Sequence, residues 1–396
     1  MTSEIVIMSK NAVALAADSI ATLYTKTGDK TYSTASKIFE LNCHHSIGFM
    51  VNNNAAFLGV PWETIMTLYK KESAEKSYAA LEDCVDDFIK FLETCHLFSH
   101  ENQLKMAFAE LRYFQEFILY RFEKALIEKF DETSSELSYD EQIAVLRSCL
   151  NNLIESTKKI DDYIDCDDSF IEKYFDEIEE ILKQYYENIY DDLKIEIIEL
   201  NKCYFRKSLE EYYTRVVVAG FGCNDLFPKI CHINIDRMIE NKLYYTKDFV
   251  ESGDNGHGAA IFPFSQQDTI DTFVCGINTH FKEYIKELID EFCPEQSKNM
   301  SDKIEDFSEN NYACPIFSAF NHLPKSELAT MAETLIHLTF FNPKISAQPM
   351  SMNGSTDVAV ISKEEGFVWI KREYYFEASL NYHYIAKYYN LMGVFK

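Results

Sequence analysis

Threonine at position 2, directly behind the initiator methionine, has the most reactive potential in this chain. A side chain as small as threonine lets a cytosol remove Met1 routinely. The new terminus then carries a hydroxyl and a free α-amine on one residue, and the amine can serve as the base that activates its own hydroxyl. An unperturbed α-amine titrates near ~7.7–8.0, so about a tenth or more is neutral at pH 7, and a neighbouring ammonium raises that share. Met-Thr starts are common, so the weight falls on what surrounds this one.

Other chemistries lack their residues. Cys43-His44-His45 and Cys223 with Cys231-His232 do not have zinc-site spacing, so no metal is expected. Gly220-Phe221-Gly222 lacks the third glycine of a dinucleotide loop, and Pro228 blocks a helix opening there. The aspartates at 165, 167 and 168 fail as a calcium loop because Phe170 stands where glycine is required. Neither a nucleophile-elbow serine nor a phosphate-binding loop occurs. No cofactor is expected.

The elements that must position Thr2 are legible as changes of texture. Residues 1 to about 60 read as strands: EIVIMS, a Lys10-Asn11 turn, AVALAAD, then KIFEL and SIGFMV. From about 62 to 213 the chain is nearly free of Gly and Pro, with apolar residues at helical spacing, as in Phe114, Phe117, Ile118, Tyr120 and Phe122. Strand texture returns in RVVVAGFG and AAIFPF, and a second helical stretch covers about 266–312. Leu328, Met331, Ala332, Leu335 and Leu338 mark one face of a helix that Ser326 could cap. The hairpin DVAVIS–KEEG–FVWIK follows, its turn closed by Gly366. Strands at both ends with helices between predict an α+β fold whose sheets are closed by distant segments. The chain reads as one domain over 1–396, with a helical insertion over 75–205 and a smaller one over 280–312.

Charge excludes several partners. The 38 basic and 64 acidic residues give a net charge of −26, a field that repels phosphate backbones and anionic lipid, so neither nucleic acid nor membrane is an expected partner. Residues 151–200 alone hold 16 acidic and 5 basic side chains, which read as a solvated helix face or a docking surface for a basic partner. Glu4 ahead of the first apolar stretch and Ser9-Lys10-Asn11 within it argue against a secretory leader. Eleven cysteines without a CxxC pair suit reduced thiols. A soluble, cytoplasmic protein is expected.

The opening as a whole, Thr2 and its strand, a tight turn, AVALAADS, Ala21-Thr22 and then Ser36-Lys37-Ile38-Phe39-Glu40-Leu41, resembles the β-type proteasome subunits and their bacterial single-ring relatives. In that family the nucleophilic threonine opens the first strand, an aspartate ends the second, and a lysine precedes an apolar pair. Asp18 lies 16 residues after Thr2, as the family has it, and Lys37 matches the lysine. IGFMVNNNAAFLG is similar to the turn that supplies the oxyanion hole, RVVVAGFG to the central strand, and LPKSELATMAETLIHLT with the last hairpin to the closing helix and hairpin. The likeness covers about half of the chain, and the helical insertions make this an atypical, bacterial-type member.

The resemblance implies a four-layer αββα sandwich of the N-terminal-nucleophile hydrolases and a threonine endopeptidase acting on peptides or proteins. Thr2 would be nucleophile and base, Lys37 would tune amine and hydroxyl, and Asp18 would hold Lys37 charged. Main chain around Ala21-Thr22 and Val51-Asn52 would align an extended substrate. Two departures stand out. Val51-Asn52-Asn53 replace the family's oxyanion glycines. The family's second aspartate and its serine partners have no clear match: Pro349 stands near the aspartate's place, and neither Ser265 nor Ser351 is assigned as a substitute. Alternatives on the same fold are an inactive ring or scaffold subunit and a small-molecule amidase. A homo-oligomer is expected, held by apolar stripes such as Phe114, Phe117 and Phe122 with the acidic insertion facing solvent or a partner, and an ATPase or adaptor is a compatible partner.

Overall fold

Alternation along the first two strands decides which side chains can meet. Strand β1 (Glu4–Met8) and strand β2 (Ala12–Asp18) are buried along their whole length and pair antiparallel from Glu4↔Ala17 to Met8↔Val13. Lys10 and Asn11 make the turn, and the Ser9 amide donates to the Ala12 carbonyl at 2.9 Å. Ile5, Ile7, Ala14 and Ala16 face one way into a helix-covered cluster, while Val6, Met8, Val13 and Leu15 face the other way into a second sheet. Period 2 therefore makes Glu4 a neighbour of Val6 on the side between the sheets. The computed structural model describes residues 3–23, 30–32, 36–41, 45–164, 166–207, 213–251, 258–264, 267–345, 355–374, 376–377 and 380–383, with backbone alone at 21–23, 30–32, 133 and 340–345.

After β2 come a two-stranded ribbon, β3 (Ala21–Leu23) with β4 (Lys30–Tyr32), then β5 (Ile38–Glu40) and β6 (Ser46–Asn52), and a second small ribbon, β7 (Ala56–Phe57) with β8 (Val60–Pro61). Helices α1 (Trp62–Glu72) and α2 (Leu81–Thr94) follow. Then come α3 (His100–Thr133), α4 (Tyr139–Lys158), α5 (Ser169–Lys173), α6 (Phe175–Tyr186) and α7 (Tyr190–Arg206), which with α2 occupy the segment read from the sequence as a helical insertion. Strands β9 (Thr214–Phe221), β10 (Lys229–Ile239), β11 (Lys242–Glu251) and β12 (Ala260–Pro263) lead to α8 (Gln267–Cys275), α9 (Thr279–Phe292), α10 (Ser297–Ser308) and α11 (Cys314–Phe320). The described chain ends with α12 (Lys325–Ile345) and the hairpin β13 (Thr356–Ser362) and β14 (Gly366–Lys371).

Two antiparallel five-stranded sheets result, β12-β1-β2-β13-β14 and β11-β10-β9-β6-β5. Val6, Met8, Val13, Leu15, Ala359 and Ile361 of the first pack on Met50, Val217, Ala219 and Ile230 of the second. On the outside of the first sheet lie Ile270 and Val274 of α8 and Leu328, Ala332, Leu335 and Ile336 of α12. On the outside of the second, Ile65, Met66 and Tyr69 of α1 and Val85, Phe88 and Leu92 of α2 cover Phe49, Val216, Val218 and Ile233. The Gly220-Phe221-Gly222 run serves this packing: a Cβ on Gly220 would fall 2.0 Å from the Ser46 carbonyl oxygen.

Helices α3 to α7 carry their own cluster, which Ile239 and Tyr244 of the β10–β11 hairpin join. Phe114, Ile118 and Phe122 form the buried face of α3, while Phe117 and Tyr120 point out. Phe114 and Phe122 are thus spent on the insertion's own core and are unavailable for the subunit contact expected of them. Ser326 sits within the first turn of α12, which opens at Lys325, so it does not cap the helix. Among the described residues no helix is long and apolar enough to cross a membrane.

Candidate functional site

Four strand ends converge at one edge of the space between the sheets, with Glu4 opening β1. Asp18 ends β2; its amide donates to the Ser3 carbonyl at 2.9 Å, and its Oδ2 accepts the Ser3 amide at 3.0 Å. Lys37 stands just before β5, where its carbonyl accepts the Val51 amide at 2.9 Å. Its Nζ lies 2.6 Å from Glu4 Oε1 and also contacts Asp18 Oδ1. Asn52 ends β6 and donates Nδ2 to Glu4 Oε2. Asp18 and Glu4 are each 1 % exposed, Asn52 3 % and Lys37 9 %.

Two carboxylates thus share one ammonium in a dry site. Burial pushes the Asp18 carboxyl up to about 6; Lys37 opposes that rise and Glu4 adds to it. Burial works against the Lys37 charge, but Glu4 and Asp18 together outweigh it and hold its pKa above the usual lysine range. Lys37 is accordingly a fixed cation, suited to lowering the pKa of a neighbouring amine or hydroxyl and unsuited to taking a proton itself.

The first sheet's helix face steadies the chain's start. Thr339 of α12 donates its hydroxyl to the Ile336 carbonyl at 2.7 Å, so Ser3 Oγ is the donor in the 2.7 Å contact with Thr339 Oγ1. Thr356 lies opposite Asp18 in the β2–β13 ladder, is 1 % exposed, and has a hydroxyl with no partner among the described residues.

Of the residues singled out in the sequence, Asp18 and Lys37 are brought together, and Asn52 joins them through Glu4. Thr2, Ser265, Ser351 and Pro349 lie outside the described residues. Ala21 and Thr22 form the β3 ribbon edge, opposite Tyr32 and Thr31. The Val51 side chain packs among the helices, and its amide is committed to Lys37, so β6 offers a ligand only its end at Asn52 and the turn beyond. Asn53 takes that turn with φ 75°, a conformation asparagine tolerates better than most residues, and donates Nδ2 to the Tyr213 carbonyl at 3.2 Å.

Sequence reasoning passed over two groups. Glu4 is the more consequential; its signal was a lone acid at the start of a strand whose alternate positions are all apolar. The other is a polar row across the second sheet in register: Asn52↔Arg215, Arg215↔Asn234 and Asn234↔Thr246. Arg215 Nε donates to Asn234 Oδ1 at 2.8 Å, and the guanidinium lies 5.4 Å from the Phe264 ring centroid. Beside it, burial and then the Arg215 charge push the His232 imidazole down to about 4, so it is neutral at pH 7.

No family model matches the chain, and no curated protein matches it. Among solved structures, a Gly-1 mutant of Anbu from Hyphomicrobium sp. strain MC1 is similar at 10 % identity and a TM-score of 0.33, covering 100 % of this chain and 97 % of that one.

Proposed function

We propose that this chain is an amide hydrolase of the N-terminal-nucleophile kind, with the four-layer αββα arrangement of that group, and that Thr2 attacks peptide bonds once Met1 is removed. One observation carries the reading: Ser3, covalently joined to Thr2, is tied through both its amide and its carbonyl to the aspartate that holds Lys37. Consecutive Cα atoms are about 3.8 Å apart, so on this reading the nucleophile is one residue from that anchored position.

In this mechanism the α-amine takes the Thr2 hydroxyl proton as the oxygen attacks the carbonyl carbon, then gives it to the substrate nitrogen as the C–N bond breaks, so that the amine fragment leaves and an acyl ester remains on Thr2. The Lys37 cation lowers the amine's pKa and stabilises developing negative charge. Amide donors of the Asn52–Asn53 turn face the oxyanion. Water then hydrolyses the acyl ester, with the amine again as base. Asp18 and Glu4 keep Lys37 charged and aimed, and the Thr356 hydroxyl, without a partner among the described residues, would orient the amine.

The test is covalent. A threonine-directed electrophile such as an epoxyketone should add one equivalent at Thr2, located by peptide mapping, and Thr2→Ala should lose at least a hundredfold in hydrolysis without losing the fold. Retention of Met1 on most molecules, or activity surviving in Thr2→Ala, would defeat the proposal. A non-catalytic scaffold gains from one observation, that both Glu4 oxygens are already taken, by Lys37 and by the Asn52 carboxamide; Met1 retention would select it.

A further inference from the structure

A cleft of about 1200 Å³ separates the helical insertion from the second sheet. Its floor includes Asn234 and Thr246 of the polar row, and one rim is the loop that starts at Asn54, two residues past Asn52. The opposite wall is α3, where Met106 and Phe117 reach the cleft 43 % and 41 % exposed. Eleven residues apart, they fall on one face of that helix, three turns from each other.

We propose that this cleft binds an extended polypeptide segment carrying a basic side chain next to a large aliphatic or aromatic one. On the hydrolase reading above, on which this part rests, the segment is the substrate of the site at Lys37. Charge argues for the base. Both cations of the lining are already matched: Arg237 lies 2.5 Å from Asp236 and 3.4 Å from Glu110, and Lys247 lies 2.6 Å from Asp86. Asp161 and Asp248 line the same cleft, are exposed, and make no ion pair among the described residues.

Topology argues for an extended chain. β11 is the edge strand of its sheet, and its Thr246–Asp248 segment lines the cleft, so an added strand finds main-chain partners there. Uncovered Met106 and Phe117 supply the apolar contact. A second copy of this chain, with net charge −26, is the wrong sign for the site.

The probes are two fluorescein-labelled decapeptides identical except at two positions, Lys in one and Glu in the other, each position flanked by Leu or Phe. Anisotropy with full-length Thr2→Ala protein should show the Lys peptide binding at least tenfold tighter than the Glu peptide. Asp161→Asn with Asp248→Asn should weaken the Lys peptide about three- to tenfold, two exposed charges being modest individually, and Phe117→Ser should weaken both. Equal affinity for the two peptides, no binding of either, or binding unchanged in both variants overturns the proposal. So does light scattering in which Phe117→Ser dissociates a dimer without altering peptide binding, because a second copy then covers the cleft. Cleavage by the Met1-free chain separates the two readings. Binding as expected without cleavage refutes the hydrolase and keeps the cleft; cleavage indifferent to Asp161, Asp248 and Phe117 refutes the cleft and keeps the hydrolase.

Discussion

Replacing Glu4 by Gln removes one carboxylate from Lys37 while keeping the side chain's length and an oxygen for Asn52. Glu4 Oε1 is 2.6 Å from Nζ and Asp18 touches the same nitrogen, so the two carboxylates lie within about 5 Å of each other. At that separation and an effective dielectric near 20, their repulsion is about 3 kcal/mol. Taken whole, that is about two pH units; with Lys37 between them, about one is expected. Asp18, held up to about 6 mainly by burial, should therefore ionise about one unit lower in Glu4→Gln. Removing a neighbouring negative charge makes ionisation easier, so the acid limb of kcat/KM moves to lower pH.

The stability effect has its own sign. A native carboxyl whose pKa is raised binds more protons than the unfolded chain between about 4 and about 6, so its contribution falls as pH rises through that window and the cost is complete above it. Glu4→Gln relieves part of that cost, and the variant should lose less stability between pH 5 and pH 7 than the parent. The assay is a pH profile from 4 to 8 on a fluorogenic peptide, with urea melts at both ends. An acid limb that stays in place at full amplitude, or moves upward, would refute the shared-cation reasoning.

Lys37→Met leaves Glu4 and Asp18 side by side without a cation, and should cost about 3–5 kcal/mol at pH 7. Part of the loss should return at pH 5 as the Asp18 carboxyl takes up a proton, which denaturant melts at the two pH values would show. Lys37→Arg should keep most of the stability yet lose most of the hydrolysis, since a planar guanidinium cannot occupy a point-charge site, and kcat measured beside a melt checks both. In the insertion, Gln115 accepts from Tyr186 at 2.8 Å and donates to Asn201 at 2.9 Å. Gln115→Leu strands both partners and should cost about 1–3 kcal/mol for each, read from thermal melts.

Much of the double-sheet framework could be read from the chain because its strands are short, apolar and bounded by turns. β1, β2, β6, β9 and the last hairpin lie where their runs of Val, Ile and Ala predict. The β10–β11 hairpin was harder to see. Its alternation breaks at a bulge between Ile235 and Arg237, and its turn uses Glu240 and Asn241 at φ 53° and 63°, where Glu gives no turn signal. In the site, Asp18 and Lys37 were visible through order and spacing, whereas Glu4 was not. Next to a chain terminus an acid ordinarily reads as solvated. Here pairing of β1 with both β2 and β12 buries it, and its cation comes from 33 residues away. Local pattern records how a residue sits on its strand; it does not record which distant charge will face it.

The bulge that hid β10 also explains how the insertion is held. Before it, Asn234 belongs to the polar row between the sheets; after it, Asp236 and Arg237 meet the insertion. Asp236 accepts the Tyr163 hydroxyl at 2.6 Å. Arg237, 4 % exposed, lies 4.7 Å from the Tyr204 ring centroid and 5.1 Å from that of Phe205. A buried guanidinium between two carboxylates is a poor source of net stability but a demanding specifier of geometry, because any displacement leaves a charge uncompensated. One extra residue in one strand therefore fixes the insertion against the same sheet that carries Asn52. The α3 wall of the cleft is registered to the Lys37 site through covalent strand and buried charge, so on the proposed hydrolase reading these helices would bear on which substrates that site receives.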